Sequence, residues 1–320
     1  MDFKSIVAVV AEDFAAVDTF IRKSLESRVP LINEVGHYIV QGGGKRLRPL
    51  VCLLSARACG YSGHRHIEVA SIIELLHTAT LLHDDVVDES GLRRGRATAN
   101  ARWDNPTAVL VGDYLISKAF ALMVALRDPV VMDIMSAGTC VIAEGEVLQL
   151  INQRDPDTTE DRYMQVIYGK TAKLFETAAE TGASLGSRDY QDACATFARH
   201  LGAAFQIIDD VLDYTSSAEV MGKNVGDDLA EGKPTLPLIQ AIKTSAPAEA
   251  ELIRNAIRTG GLEHLDEIIA IVQGCGALDY TRQRARQETE EALAALAVLP
   301  DSPYKAALAD LTHLALQRDN

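Results

Sequence analysis

Twice in this chain the motif Asp-Asp-x-x-Asp closes an apolar stretch with helical spacing. The first copy is Asp84-Asp85-Val86-Val87-Asp88 and the second is Asp209-Asp210-Val211-Leu212-Asp213. Ahead of the first, Ile72, Leu75, Leu76, Ala79 and Leu82 recur in the three-four rhythm of a buried helix face. Residues i and i+4 of a helix project from nearly the same side, one turn apart. Asp84 with Asp88, and Asp209 with Asp213, therefore form two carboxylate pairs. Like charges at that spacing cost about 0.2–0.5 kcal/mol on an open helix. At the end of a buried helix they cost more unless a cation sits between them. Two chain-distant copies of one chemical motif fit one shared cavity better than two separate domains. The expected architecture is therefore a single all-α domain over residues 1–320.

The rest of the chain agrees with helices. Pro30, Gly42-Gly43-Gly44, Gly60, Gly91, Pro106, Pro129, Pro156 and Gly186 separate stretches of helical periodicity, and similar breaks continue to Pro300. The punctuation marks out about ten to thirteen helices and no strand. Runs such as Val109-Leu110-Val111 are too short for strands and lack hairpin turns.

Oxygen-only ligands, with no His or Cys in the pattern, point to Mg²⁺. That ion takes one or two carboxylates and fills its octahedron with water and substrate phosphate. A calcium-binding EF-hand loop needs acids at alternating positions, a central Gly and a terminal Glu, and neither motif has them. For one triplet alone, a solvated acidic helix end is the plainer reading; two copies on apolar helices weigh against it.

If metal-bound phosphates sit at the aspartates, counter-charges should follow. The net charge is −14, so basic islands stand out. They are Gly44-Lys45-Arg46-Leu47-Arg48, Arg93-Arg94-Gly95-Arg96, Gly169-Lys170-Thr171, Gly222-Lys223 and Gly232-Lys233. Glycine lets backbone approach a phosphate, and Arg can chelate its oxygens. The first island is no phosphate-binding P-loop, since Arg46 follows Lys45 where that motif needs Ser or Thr. His77 lies two near-complete turns before Asp84 and shares its face, whereas His83 points elsewhere. The acidic balance weighs against nucleic acid as a partner. The odd count of five cysteines, with no Cys-x-x-Cys, weighs against a disulfide framework or a zinc site. The start, Met1 to Ser5, does not read as a signal peptide, and no uncharged run reaches a membrane span. A cytoplasmic protein without a transmembrane segment is expected.

Together these residues resemble the trans-prenyltransferases, the isoprenyl (polyprenyl) diphosphate synthases. The carrying blocks are Gly43-Gly44-Lys45-Arg46-Leu47-Arg48-Pro49, Leu82 to Glu89 with Leu92-Arg93-Arg94-Gly95, and Gly169-Lys170-Thr171. Then come Phe205 to Asp213 and Gly222 to Asp228, running on to Gly232-Lys233-Pro234-Thr235. The blocks Ala143 to Gln149 and Ala315 to Asp319 look most like the bacterial branch that makes octaprenyl chains for ubiquinone.

The resemblance implies an isoprenoid-synthase-type helical bundle around a central cavity, three Mg²⁺ ions per active site and a homodimer. It implies condensation of isopentenyl diphosphate with an allylic diphosphate, farnesyl diphosphate as primer, and an all-trans C40 product. Heptaprenyl, nonaprenyl or shorter products are the alternatives. Asp84, Asp88 and Asp209 would be the main Mg²⁺ ligands, supported by Asp85, Asp210 and Asp213. Lys45, Arg48, His77 and Arg94 would hold isopentenyl diphosphate. Arg93, Lys170, Lys223 and Lys233 would hold the allylic diphosphate, with Thr171 and Gln206 aiming oxygen dipoles at its reacting carbon.

In the family, bulky aromatics four or five residues before the first Asp stop elongation early; here Thr80 and Ala79 stand there, both small. The tunnel floor then falls to deeper residues, and Phe120 and Met123 on an Asp113–Leu126 helix are the candidates, against a plain core role. Two rivals remain. A class I terpene cyclase would carry a different second metal motif and more aromatics than 5%. A non-catalytic subunit of a heteromeric synthase would be expected to have lost its aspartates.

Overall fold

The computed structural model describes residues 2–215, 226–261 and 263–317. These residues form two compact units, each assembled from separated stretches of chain. One comprises Met1–Ala137, Leu174–Ala195 and Leu296–Leu311; the other comprises Gly138–Lys173, Thr196–Ala295 and Thr312–Asn320.

The chain is all-α, as its periodicity predicts. It opens with α1 (Phe3–Ala8), α2 (Ala11–Ser24), α3 (Pro30–Gln41), α4 (Leu47–Ala58) and α5 (Arg65–Val87). After a short hairpin come α6 (Ala99–Arg102), α7 (Asn105–Leu126) and α8 (Pro129–Asn152). Next are α9 (Glu160–Ile167), α10 (Lys173–Ser184) and α11 (Gln191–Leu212). Further helices between Asp227 and Leu316, among them Pro247–Thr259, Ala277–Ala295 and Pro303–Leu316, complete the described chain. Among the described residues the helices exceed the ten to thirteen expected, because single-turn pieces such as α6 carry too little periodicity to be read.

In the first unit α5 is the core helix. It buries Val69 to Leu76 without a break, then Thr78, Ala79 and Leu82, the pattern of a helix enclosed on most sides. It packs against α2, α4 and α7. The α7 helix begins at Asn105, well before the expected Asp113. Pro106 lies in its first turn, where a missing N–H is tolerated, and the Asp104 carboxylate caps it by accepting from the Thr107 N–H at 2.7 Å. His83 explains the glycine in α7: a Cβ on Gly112 would stand 2.3 Å from the His83 Nε2. His83 is thereby a packing residue.

Among the described residues, the one departure toward β structure follows the first aspartate motif. Leu92–Arg93 pairs antiparallel with Arg96–Ala97. Arg94 and Gly95 between them take φ of 54° and 72°, the two left-handed residues of a type I′ hairpin turn. Sequence reading found no hairpin because the strands are only two residues long.

Among its described residues the second unit holds buried apolar clusters about α11. One joins Val211 and Tyr214 to Leu229, Leu238, Ile253, Ile257, Ile268 and Val272. Another joins Tyr163 and Ile167 of α9 to Ile207, Ile208 and Leu212 of α11. Between α9 and α10 the helix widens into a single π-type turn at Tyr168–Ala172, a distortion that often marks functional positions.

Both α7 and α8 are long and apolar enough to cross a membrane by length and composition alone. Each carries charge within that stretch, Asp113 and Lys118 in α7, and Asp133, Glu144 and Glu146 in α8.

Candidate active site

In the first unit the sequence places cations and carboxylates on three elements, and folding brings several together. Asp84 ends α5 and Asp88 caps it. The Asp88 N–H still donates to the Asp84 carbonyl at 2.8 Å, so the two carboxylates keep the one-turn spacing. Both are partly exposed. Asp85, rotated by one residue, is fully buried. One of its oxygens, Oδ1, accepts from the Arg93 Nε at 2.7 Å. Burial pushes the Asp85 carboxyl up, and the Arg93 charge opposes that shift. Asp85 thus anchors the hairpin that carries Arg93 and Arg94.

The first basic island divides its work. Arg46, in the left-handed region at φ 48°, donates to the buried Glu74 and to the Val40 carbonyl at 2.9 Å. It is a structural cation. Glu74, a lone acid inside the apolar run of α5, was the legible signal for that partner. Arg48, in the first turn of α4, stacks 4.5 Å over the Phe175 ring and points Nη1 at the His77 Nε2, 3.2 Å away. The guanidinium can only donate, so His77 accepts through Nε2. Burial, then the charges of Arg48, Arg94, Arg93 and Arg46, holds His77 well below the usual imidazole range. It is neutral. Arg94 donates to the Gly43 carbonyl, and a Cβ on Gly44, at φ +130°, would stand 2.5 Å from its Nη1. Gly44 leaves room for that side chain. Lys45 is exposed beside it.

Of the proposed length-setting residues, Ala79 is buried, and Thr80 turns its hydroxyl back to the His77 carbonyl at 2.9 Å. Met123 is buried and Phe120 partly so, on α7, which packs on α5.

In the second unit the polar groups form a chain. The Thr171 hydroxyl donates to the Gln206 Oε1 at 3.0 Å. The Gln206 Nε2 donates to the Asp210 Oδ1 at 2.8 Å. The Tyr163 hydroxyl donates to the Asp210 Oδ2 at 2.7 Å. Burial, then the charge of Asp228, pushes Asp210 up to about 8. Asp209 is partly exposed and Asp213 buried. The Asp213 N–H donates to the Asp209 carbonyl at 3.2 Å, so this pair also keeps helical spacing. Lys170 meets the Glu146 Oε2 at 2.6 Å, and Lys233 pairs with Glu231. Lys223 lies outside the described residues.

Lys170 and Thr171 sit on the π-type turn where α8 crosses closely. A Cβ on Gly145 would stand 2.5 Å from the Gly169 carbonyl carbon and the Lys170 nitrogen. Sequence reading missed Tyr163, Glu146 and this glycine pair. An acid directly after a glycine, Gly145-Glu146, was the only trace of the last two.

Among the described residues no three His, Cys, Asp or Glu side chains gather into a preformed metal cluster. Two carboxylates per helix end, all oxygen donors, suit Mg²⁺, which arrives with its substrate phosphates and needs no protein cage.

The sequence profile of the polyprenyl synthetase family matches residues 29–273. An all-trans-nonaprenyl-diphosphate synthase (geranyl-diphosphate specific) of Rhodobacter capsulatus is 58% identical, over 99% of this chain and 99% of that one. Octaprenyl diphosphate synthase of Escherichia coli is 52% identical, over 100% of each. A polyprenyl synthase of Caulobacter crescentus, solved with calcium and isoprenyl diphosphate, superposes with a TM-score of 0.96 at 40% identity, covering 100% of this chain and 98% of its own. A decaprenyl diphosphate synthase of Rhodobacter capsulatus superposes with a TM-score of 0.94 at 44% identity, covering 100% of each chain. Matched by the family profile over residues 29–273 and by relatives over essentially its whole length, the chain belongs to the polyprenyl synthetase family.

Proposed function

We propose that this protein is a Mg²⁺-dependent prenyltransferase that adds isopentenyl diphosphate units head-to-tail to an allylic diphosphate, giving a long all-trans polyprenyl diphosphate for a quinone side chain. The observation that carries this reading is the gathering of Arg48 and Arg94 about a neutral His77, with Arg46 and Arg93 nearby and held by Glu74 and Asp85. His77 lies on the helix whose last turn holds the Asp84/Asp88 pair, in a chain of net charge −14. Such a cluster is built for a polyanion.

Lys45, Arg48, His77 and Arg94 bind the isopentenyl diphosphate headgroup and orient its double bond. Arg93, Lys170, Lys223 and Lys233 hold the allylic diphosphate. Asp84, Asp88 and Asp209, with Asp85, Asp210 and Asp213 in support, would hold Mg²⁺, three ions to a site, which supplies charge neutralisation of the departing diphosphate. Thr171 and Gln206 turn fixed dipoles toward the allylic carbon as its bond to oxygen breaks. The double bond attacks that carbon, and the released diphosphate takes the proton then lost.

The whole chain acts as one domain: the divisions at Ala137, Ala195 and Leu311 fall inside helices, where a domain linker would not lie. All five cysteines are free, as in a reducing cytoplasm. The product is octaprenyl, with nonaprenyl the nearest alternative. Farnesyl diphosphate is the primer, and geranyl diphosphate is the competitor raised by the Rhodobacter relative's specificity.

The test is incubation with isopentenyl diphosphate, Mg²⁺ and either primer, then chain-length analysis of the dephosphorylated products. A ladder ending near C40 is expected, and Ala79→Tyr should shorten it. No elongation by the wild-type chain alone, or a cyclised hydrocarbon, would overturn the reading.

A further inference from the structure

The second unit holds a hydrogen-bond chain with a fixed direction. With Asp210 ionised, Tyr163 donates to one of its oxygens and the Gln206 amide nitrogen donates to the other. Asp210 is 2% exposed and Tyr163 5%, so water does not substitute for either partner. With its nitrogen committed to Asp210, the Gln206 amide must present its oxygen to Thr171. The Thr171 hydroxyl then spends its only proton on that oxygen. A hydroxyl has one proton and two lone pairs. Thr171 is left with lone pairs alone to offer.

We propose that Tyr163 is a positioning residue for the prenyl transfer: by holding Asp210, it sets the orientation of Gln206 and so keeps Thr171 as a pure acceptor toward the cationic allylic carbon. The inference rests on the function proposed above. A threonine free to rotate would present its proton to a developing cation for part of the time. The chain removes that choice before the substrate binds, which is how preorganised dipoles act. Nothing in the periodicity of α9 marks Tyr163. It lies on α9, which runs directly into the turn that carries Thr171, and acts only through two intermediates, Asp210 and Gln206.

The experiment is a double-mutant cycle. Tyr163→Phe removes the hydroxyl and keeps the ring in its apolar cluster. It should lower kcat roughly 10- to 100-fold while leaving the KM for isopentenyl diphosphate unchanged. Thr171→Val should lower kcat at least as far, and Thr171→Ser should recover most of it. The pair Tyr163→Phe/Thr171→Val should be no slower than Thr171→Val alone. A second readout needs no turnover: calorimetric binding of a diphosphate analogue whose allylic carbon is replaced by a protonated amine. Tyr163→Phe should weaken this cation relative to the neutral carbon isostere, and in the Thr171→Val background it should not.

Losses that multiply in the double variant would overturn the proposal, as would a rise in KM without a fall in kcat. If Tyr163→Phe does not fold, Tyr163→Leu carries the same cycle. Wild-type turnover tests the underlying function, whereas the ratios among variants test the chain, so the two can fail separately.

Discussion

Asp85 and Asp210 hold the same place in the two motifs, and each is buried while Asp84, Asp88 and Asp209 stay partly exposed. One step along a helix is a turn of about 100°, so the middle aspartate faces inward when the first faces out. Asp85 meets a guanidinium there and Asp210 meets a phenol and an amide. The i, i+4 pairing was legible from spacing, but these partners were not, since Tyr163 and Arg93 belong to other elements. Asp210 also yields a prediction with a sign. Its carboxyl is raised to about 8 by burial and by Asp228. A carboxyl raised in the folded state contributes its full stability below the ordinary carboxylate range and loses it as pH climbs toward the raised value. Asp210→Asn has no such proton to lose. The metal-free variant should therefore gain in melting temperature over wild type as pH rises from about 5 to about 8, while its turnover falls. Parallel melting curves across that range would contradict the assignment.

At the scale of elements, the site depends on a crossing that no side chain makes. Gly145 of α8 and Gly169, in the widened turn between α9 and α10, allow two backbones to touch. The turn carries Lys170 and Thr171, and α8 supplies Glu146 to Lys170. Gly145→Ala would thrust a methyl onto the peptide that links Gly169 to Lys170. Overpacking of this kind costs about 1–3 kcal/mol, and here it also displaces Lys170 and Thr171. Denaturant unfolding should show that loss, with a larger proportional fall in kcat than at an ordinary core site. Unchanged kcat would mean the turn does not depend on the crossing. The hairpin teaches a similar lesson. Arg94-Gly95 has the turn chemistry of a type I′ loop, but strands of two residues leave no alternation to read.

For the whole molecule, the exposed apolar side chains need a partner. On α7, in the first unit, these are Val109, Leu110 and Val124. Asp113 and Lys118 within that helix argue against lipid as that partner. A second copy of the chain fits the homodimer the family resemblance implies. Leu110→Lys with Val124→Lys should shift the protein toward monomer in light scattering, by at least tenfold in the dimer dissociation constant if each side chain is worth more than about 1 kcal/mol. A parent that is already monomeric, or a variant that still dimerises fully, would refute the assignment of this face.

The amino-acid sequence by itself determined the helical class, the two carboxylate pairs and the basic islands that answer them. Those features rest on local periodicity and charge, which a single stretch of chain carries whole. Only the tertiary structure decided which cation is structural and which is available. Arg46 was spent on Glu74, Arg93 was tied to Asp85, and His77 was kept neutral among guanidiniums. It alone brought Tyr163 to Asp210 and Gly145 to Gly169. Burial and hydrogen-bond direction are properties of packed neighbours, and residues distant in the chain become neighbours only when it folds.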